Sequence, residues 1–146
     1  MKTKHPITIV VLVGTIITVS VHGCKDPKDY REYYNRGIAR LEEVEHDHAI
    51  SDFTKTIEMR PGFAMAHFYR GRTYFRKGEH DKAIADYTRA IEIDEQRFAV
   101  AYAERALNYY IKKDYDKAWE DVHKAQSLGQ EVRFLEILRK DSGRKK

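Results

Sequence analysis

The sequence predicts an all-α chain of three tandem helix–turn–helix hairpins followed by a closing helix, and three observations carry that prediction. Residues 45–59 (EHDHAISDFTKTIEM) return 34 residues later, at 79–93, as EHDKAIADYTRAIEI, with nine of fifteen positions identical. A weaker copy, DYDKAWEDVHKAQSL, occupies residues 114–128, a further 35 residues on. A fixed period in this range marks stacked units, each burying its apolar face against its neighbours. Within a unit the apolar residues follow helical spacing: Phe68, Gly71, Tyr74 and Phe75, then Ala83, Ile84, Tyr87, Ala90 and Ile91,. Only three prolines and eight glycines occur in 146 residues, which argues against a β-sandwich or a long disordered tract,.

Composition narrows the function classes. Hydrophobic residues make up 42% and charged residues 34% of the chain, the balance of a water-facing globular domain,. Tyrosine is frequent, with ten copies, and its apolar body with a polar tip suits both repeat cores and peptide grooves,. The formal net charge is +4, and Lys2 and Lys4 fall in a segment expected to be removed, leaving about +2. That balance gives a nucleic-acid partner little support, and the basic tail formed by Arg139, Lys140, Arg144, Lys145 and Lys146 reads as a solvated end,.

The first element is a basic start (MKTKH) followed by fifteen uncharged, mostly apolar residues, 7–21 (ITIVVLVGTIITVSV). The run is shorter than the ~20 residues of a spanning helix, and its order matches a secretory signal peptide over residues 1–23. It ends at Val21-His22-Gly23-Cys24, and Cys24 is the only cysteine, so it has no disulfide partner within the chain,. The segment resembles a bacterial lipobox at Val21, Gly23 and Cys24 and departs from it at His22. That resemblance implies lipidation of Cys24, cleavage before it and anchoring in the cell envelope, where two or more acyl chains make attachment stable. Lys25 after the cysteine is similar to the outer-membrane-sorted form if the source has two membranes. The alternatives are an uncleaved N-terminal anchor and secretion with a free thiol. Residues 24–29 then form a polar tether in which Pro27 opposes helix,. Asp29 is expected to cap the first repeat helix, with Glu32 completing a capping box.

The repeats follow over residues 30–130, in units 30–63, 64–98 and 99–130. Gly78 stands where a helix C-cap would reverse the chain. Small residues recur at Gly37, Gly71 and Ala106, at Ala49, Ala83 and Ala118, and at Thr56, Ala90 and Ala125, with Phe53, Tyr87 and Val122 between the last two sets. Small side chains let two helices approach, and the larger residue fills the gap toward the next unit. On these residues the units resemble tetratricopeptide repeats, which implies a short right-handed solenoid of paired antiparallel helices. Two departures stand out: Arg40 replaces the aromatic present as Tyr74 and Tyr109, and Pro61 closes the first unit where Glu95 and Gln130 stand later. After the repeats, residues 131–146 form a capping helix and tail. Residues 131–140 are amphipathic through Val132, Leu135 and Leu138,, and residues from Asp141 onward are expected to fray.

The resemblance also implies a concave groove lined by the first helix of each unit. The positions are Arg31, Tyr34, Asn35, Ile38 and Leu41, then Met65, Phe68, Tyr69, Arg72, Phe75 and Arg76, then Val100, Ala103, Glu104, Leu107, Tyr110 and Ile111. Tyrosine and arginine are enriched at binding hot spots, so a protein or peptide partner is expected. For any single aromatic the alternative is contact with the closing helix or a neighbouring helix. The family's clamp for acidic chaperone tails needs Lys and Asn where this chain has Tyr34, Ile38, Tyr69, Val100 and Glu104, so that mode is disfavoured. A second class of function is self-association, with the groove as a dimer interface. No catalytic constellation or cofactor motif stands out, and no cofactor is expected. His46, Asp47 and His48 are metal-competent types, but His80-Asp81 recurs at the same offset, which points to a turn role.

Overall fold

The computed structural model describes residues 29–143. The signal segment, Cys24, most of the tether and the last three residues of the basic tail lie outside the described residues. Among the described residues seven helices run in order: α1 (Tyr30–Glu42), α2 (His46–Met59), α3 (Ala64–Arg76), α4 (His80–Ile93), α5 (Ala99–Ile111), α6 (Tyr115–Ser127) and α7 (Leu135–Ser142). Among the described residues there is no strand. The first six helices pair as three hairpins, and α2 packs on α3 and α4 on α5, so each hairpin lies against the next.

The recurring small residues do what their spacing implies. Gly37, Ala49 and Thr56 are buried in the first unit, and their counterparts are buried in the second and third. A methyl group on Gly37 would come within 2.8 Å of Phe53 Cε1, and one on Gly71 within 3.1 Å of Tyr87 Cε1. In the third unit Ala106 has a methyl group and faces the smaller Val122, both fully buried. Phe53 and Tyr87 are themselves 0% exposed, and burying a ring of this size stabilises by roughly 1.5–3 kcal/mol.

Each first helix stops in the same hydrogen-bonded turn. Gly78 N–H donates to the Phe75 carbonyl and Glu79 N–H to the Tyr74 carbonyl, both at 2.9 Å. This double bond pattern satisfies carbonyls that the helix end would orphan, and it demands a left-handed residue. Gly78 supplies it at φ +76°, as expected. The other two turns use non-glycine residues: Val44 at φ 64° and Lys113 at φ 63°. Val44 is β-branched and 67% exposed there, a combination that costs about 1–2 kcal/mol relative to glycine.

Buried ion pairs tie the hairpins internally at a constant spacing of sixteen residues. Arg36 donates to Asp52, Arg70 to Asp86 and Arg105 to Asp121, each through two bonds of 2.6–2.8 Å. The third branch of the fork links one hairpin to the preceding one: Arg70 Nη1 donates to Thr54 Oγ1 at 3.0 Å and Arg105 Nη1 to Thr88 Oγ1 at 2.7 Å. Arg40, the residue that departs from the aromatic pattern, donates to Asp52 at 2.7 Å.

Three expectations are corrected. Asp29 is the N-cap of α1, but its side chain makes no capping bond; its backbone carbonyl accepts from Glu32 N–H at 3.1 Å instead. The closing helix begins at Leu135, so Val132 is buried in the turn before it and not on its face. Asp141 and Ser142 are helical and held, because Tyr110 donates to Asp141 at 2.5 Å and Trp119 Nε1 to Ser142 Oγ at 3.0 Å. Leu138, fully buried, packs this short helix into the core of the last repeats. No helix of the described residues is long and apolar enough to cross a membrane.

Candidate peptide-binding groove

The first helices of the hairpins carry the groove. Between α1 and α3 lies a cavity of about 360 Å³ lined by Ile38, Leu41, Glu42, Tyr69, Arg72 and Arg76. Five of these follow from the repeat pattern, and Glu42 is added by the structure. The cavity is walled by an aromatic cluster. Tyr69 stacks on Phe53 at 6.2 Å between ring centres, and Tyr34 meets Tyr69 edge-on at 5.9 Å. Phe63 meets Tyr34 at 5.2 Å from the other side. Burial, and then Tyr69, push the Tyr34 hydroxyl up to about 12. The Arg72 guanidinium lies over the Tyr69 ring at 5.7 Å, an arrangement that attracts by cation–π interaction. Arg76 is fixed across the groove by donating to the Leu41 carbonyl, 3.1 Å away.

Ile38, Tyr69 and Arg72 therefore come together, with Asn35 exposed on the α1 surface and Tyr34 half-buried at one edge. Other expected lining residues belong elsewhere. Phe68 is only 8% exposed and packs on Tyr87 and Phe98 at 5.7 and 5.6 Å. Its counterpart Tyr34 makes the equivalent contacts, with Phe53 at 6.1 Å and Phe63 at 5.2 Å, and is half-buried. Phe75 turns toward its own hairpin partner and meets the His80 ring at 5.9 Å. Tyr110 is half-buried beneath the closing segment, against Phe134 at 5.9 Å and bonded to Asp141. His46, Asp47 and His48 do not converge: Asp47 pairs with Lys77 at 2.5 Å, and His48 lies 3.4 Å from Glu45.

One repeat further along, Arg72 of α3 and Glu104 of α5 take the repeat positions of Ile38 and Tyr69. Burial raises the Glu104 carboxyl above its ordinary range, and Arg72 opposes that shift. Among the described residues the two do not form an ion pair, and neither makes a hydrogen bond through its side chain. The Tyr87 hydroxyl, with no hydrogen-bond partner, is acted on by the same two charges. The repeated arginine–aspartate–threonine ties were legible in principle, because an arginine immediately precedes Gly37, Gly71 and Ala106.

Comparison with known proteins agrees with this architecture. Residues 64–97 match the tetratricopeptide repeat family model. A stretch of 47 residues, 32% of this chain, is 38% identical to the tetratricopeptide repeat and J domain-containing co-chaperone DNJ1 of Cryptococcus neoformans, of which it covers 9%. The crystal structure of MamA is similar over 69% of this chain and 58% of MamA, at 32% identity and a TM-score of 0.68. The chain thus spans less than two thirds of either protein. The first repeat domain of Spaghetti (RPAP3), solved with an HSP90 peptide, shares the fold at a TM-score of 0.72 and 21% identity, covering 81% of this chain and 94% of that domain. The described helices form a short tetratricopeptide-repeat solenoid, closed by a C-terminal helix.

Proposed function

We propose that this protein is a membrane-anchored, extracytoplasmic scaffold whose groove binds a protein or peptide segment and which carries out no catalysis. The observation that supports it is the cavity between α1 and α3, walled by Ile38, Leu41 and Tyr69 and rimmed by Arg72 and Arg76. Here three apolar or aromatic side chains stand beside three charged ones, Glu42 included, in a concave space of binding-site size,. That a repeat domain of the same fold was solved with a bound peptide is consistent with an extended peptide as ligand. The acidic-tail mode is not carried over, because Glu104 and Tyr69 stand where donors would be needed.

Panning a random peptide display library on the immobilised repeats tests the groove. Tyr69→Ala combined with Arg72→Ala should abolish enrichment while far-ultraviolet circular dichroism stays unchanged; undiminished enrichment moves the site off this face. The envelope anchor rests on Cys24 following the apolar run. Intact-mass measurement of the protein from its native membrane should show a diacylglyceryl-sized addition at Cys24, and an unmodified thiol would remove the anchor from this reading.

A further inference from the structure

Resting on the groove reading above, the geometry points to a ligand of specific chemistry: we infer that Arg72, Glu104 and Tyr87 form a polar subsite for the side-chain carboxamide of a glutamine or asparagine, next to a large aliphatic residue seated against Ile38, Leu41 and Tyr69.

Among the half-buried arginines of the described residues Arg72 stands out, because the others are paired. Arg36, Arg70 and Arg105 each hold a buried aspartate through two bonds, and Arg40, Arg60, Arg76, Arg89 and Arg139 also donate hydrogen bonds. Arg72 is half-buried with only the Tyr69 ring beneath its guanidinium. Glu104 is half-buried with no hydrogen bond or ion pair through its carboxylate. Among the described residues just two buried side-chain polar atoms lack partners, and the Tyr87 hydroxyl, in a residue with 0% exposure, is one of them. Arg72, Glu104 and Tyr87 occupy the repeat positions of Ile38, Tyr69 and Phe53, which pack together one unit earlier, so the free donors of Arg72, the free acceptors of Glu104 and the unpartnered buried hydroxyl fall at one junction. A native fold leaves such groups unpaired at a cost, and a bound partner removes it.

The chemistry of the occupant follows from the two charges. A carboxylate satisfies Arg72 and is repelled by Glu104. An ammonium satisfies Glu104 and is repelled by Arg72. An apolar side chain leaves all three groups unpaired. A primary carboxamide presents an acceptor oxygen and two donor hydrogens on one small plane, so the oxygen takes Arg72 and the NH2 group gives to Glu104 with no net charge added. Arg72 also lines the cavity beside Ile38, Leu41 and Tyr69, which fixes the spacing: the aliphatic anchor and the carboxamide must be neighbours or near-neighbours along an extended peptide.

Sequencing the peptides enriched by panning a random heptapeptide display library tests this. The expected result is Gln or Asn close to Leu, Ile or Met on the wild-type protein. A synthetic copy with Gln replaced by the isosteric Glu should bind about tenfold or more weakly, because Glu104 then faces a like charge. Glu104→Gln, which keeps the shape, should erase that difference. If peptides are enriched through the groove but carry acidic, basic or no fixed polar residue there, or if Glu104→Gln leaves the Gln-to-Glu preference intact, the subsite is wrong and the groove reading survives. If nothing is enriched, both fall.

Discussion

Between α1 and α3 the groove is floored by the bare ring of Phe53 and walled by Ile38 and Tyr69; one repeat later, between α3 and α5, the same three positions hold Tyr87, Arg72 and Glu104. The backbone frame is common to both junctions. So is the tie beneath them, with Arg70 reaching back to Thr54 and Arg105 to Thr88. What differs is confined to the face a partner would meet. The first junction closes on itself through ring contacts, from Tyr34 and Phe53 to Tyr69. The second keeps two charges and a hydroxyl without partners. Repeat folds separate the two demands in this way: buried positions keep period and size, and groove positions are free to diverge in chemistry.

The shared frame gives the largest expected effect. Asp86→Ala leaves Arg70 and His67 without their carboxylate, and breaking a buried pair by removing one partner costs about 3–5 kcal/mol. Asp121→Ala should cost a similar amount through Arg105, as read by urea denaturation. A much smaller loss at either site would mean that the junctions are not built alike underneath.

The floors come next. Gly37→Ala forces a methyl group to 2.8 Å from Phe53 and should destabilise by about 1–3 kcal/mol. Gly71→Ala should cost less, since the nearest Tyr87 atom lies at 3.1 Å and alanine returns about 1 kcal/mol of helix propensity. Adding Phe53→Val to Gly37→Ala reproduces the Ala106–Val122 solution of the third unit, so a thermal-melting double-mutant cycle should show favourable coupling of about 1 kcal/mol.

Swapping the floors tests the chemistry itself. Phe53→Tyr buries a hydroxyl under Ile38 and Tyr69 and should cost about 1–3 kcal/mol. Tyr87→Phe removes an unpartnered one and should be neutral or stabilising by up to about 1 kcal/mol. Equal losses at the two sites would show that the Tyr87 hydroxyl is satisfied in solution.

The smallest effect is a pH dependence. Burial holds the folded Glu104 pKa above its unfolded value, so the native state retains this proton more tightly. Stability linked to the group is then lost as pH rises from the unfolded pKa through the folded one. Glu104→Gln should accordingly be more stable than wild type at pH 7, with the gain vanishing below about pH 4. A gain that persists in acid would come from something other than ionisation.

Much of this organisation was legible in the sequence, and the gaps have physical causes. The 34-residue period fixes the hairpins, and the small residues fix which helix faces meet. Gly78 announces its turn, but Val44 and Lys113 adopt the same left-handed conformation without a glycine, because the hydrogen-bond pattern of the helix end imposes it. Phe68 and Tyr34 occupy equivalent positions and meet equivalent rings, Phe98 and Phe63, yet Phe68 is buried and Tyr34 half-buried, a difference the repeat pattern does not carry. For Tyr110 the alternative of contact with the closing segment is the one realised. The apolar spacing of Val132, Leu135 and Leu138 shows that a closing segment exists, but not that Asp141 and Phe134 land on Tyr110.

The arginine ties have a consequence for length. Each unit brings an arginine for its own aspartate; Arg70 and Arg105 also reach the threonine of the unit behind, Thr54 and Thr88, while the third unit has His123 at that position. The lysine–aspartate contacts of Lys77 with Asp47 and Lys112 with Asp81 repeat in the same sense. A duplicate of residues 64–97 spliced in after Arg97 would therefore find its arginine, threonine and lysine–aspartate partners at both of its ends. Unit number is thus adjustable as far as these ties go, while the ring contact of Phe68 with Phe98, which lies outside the 34-residue cassette, has to be supplied at the new joint.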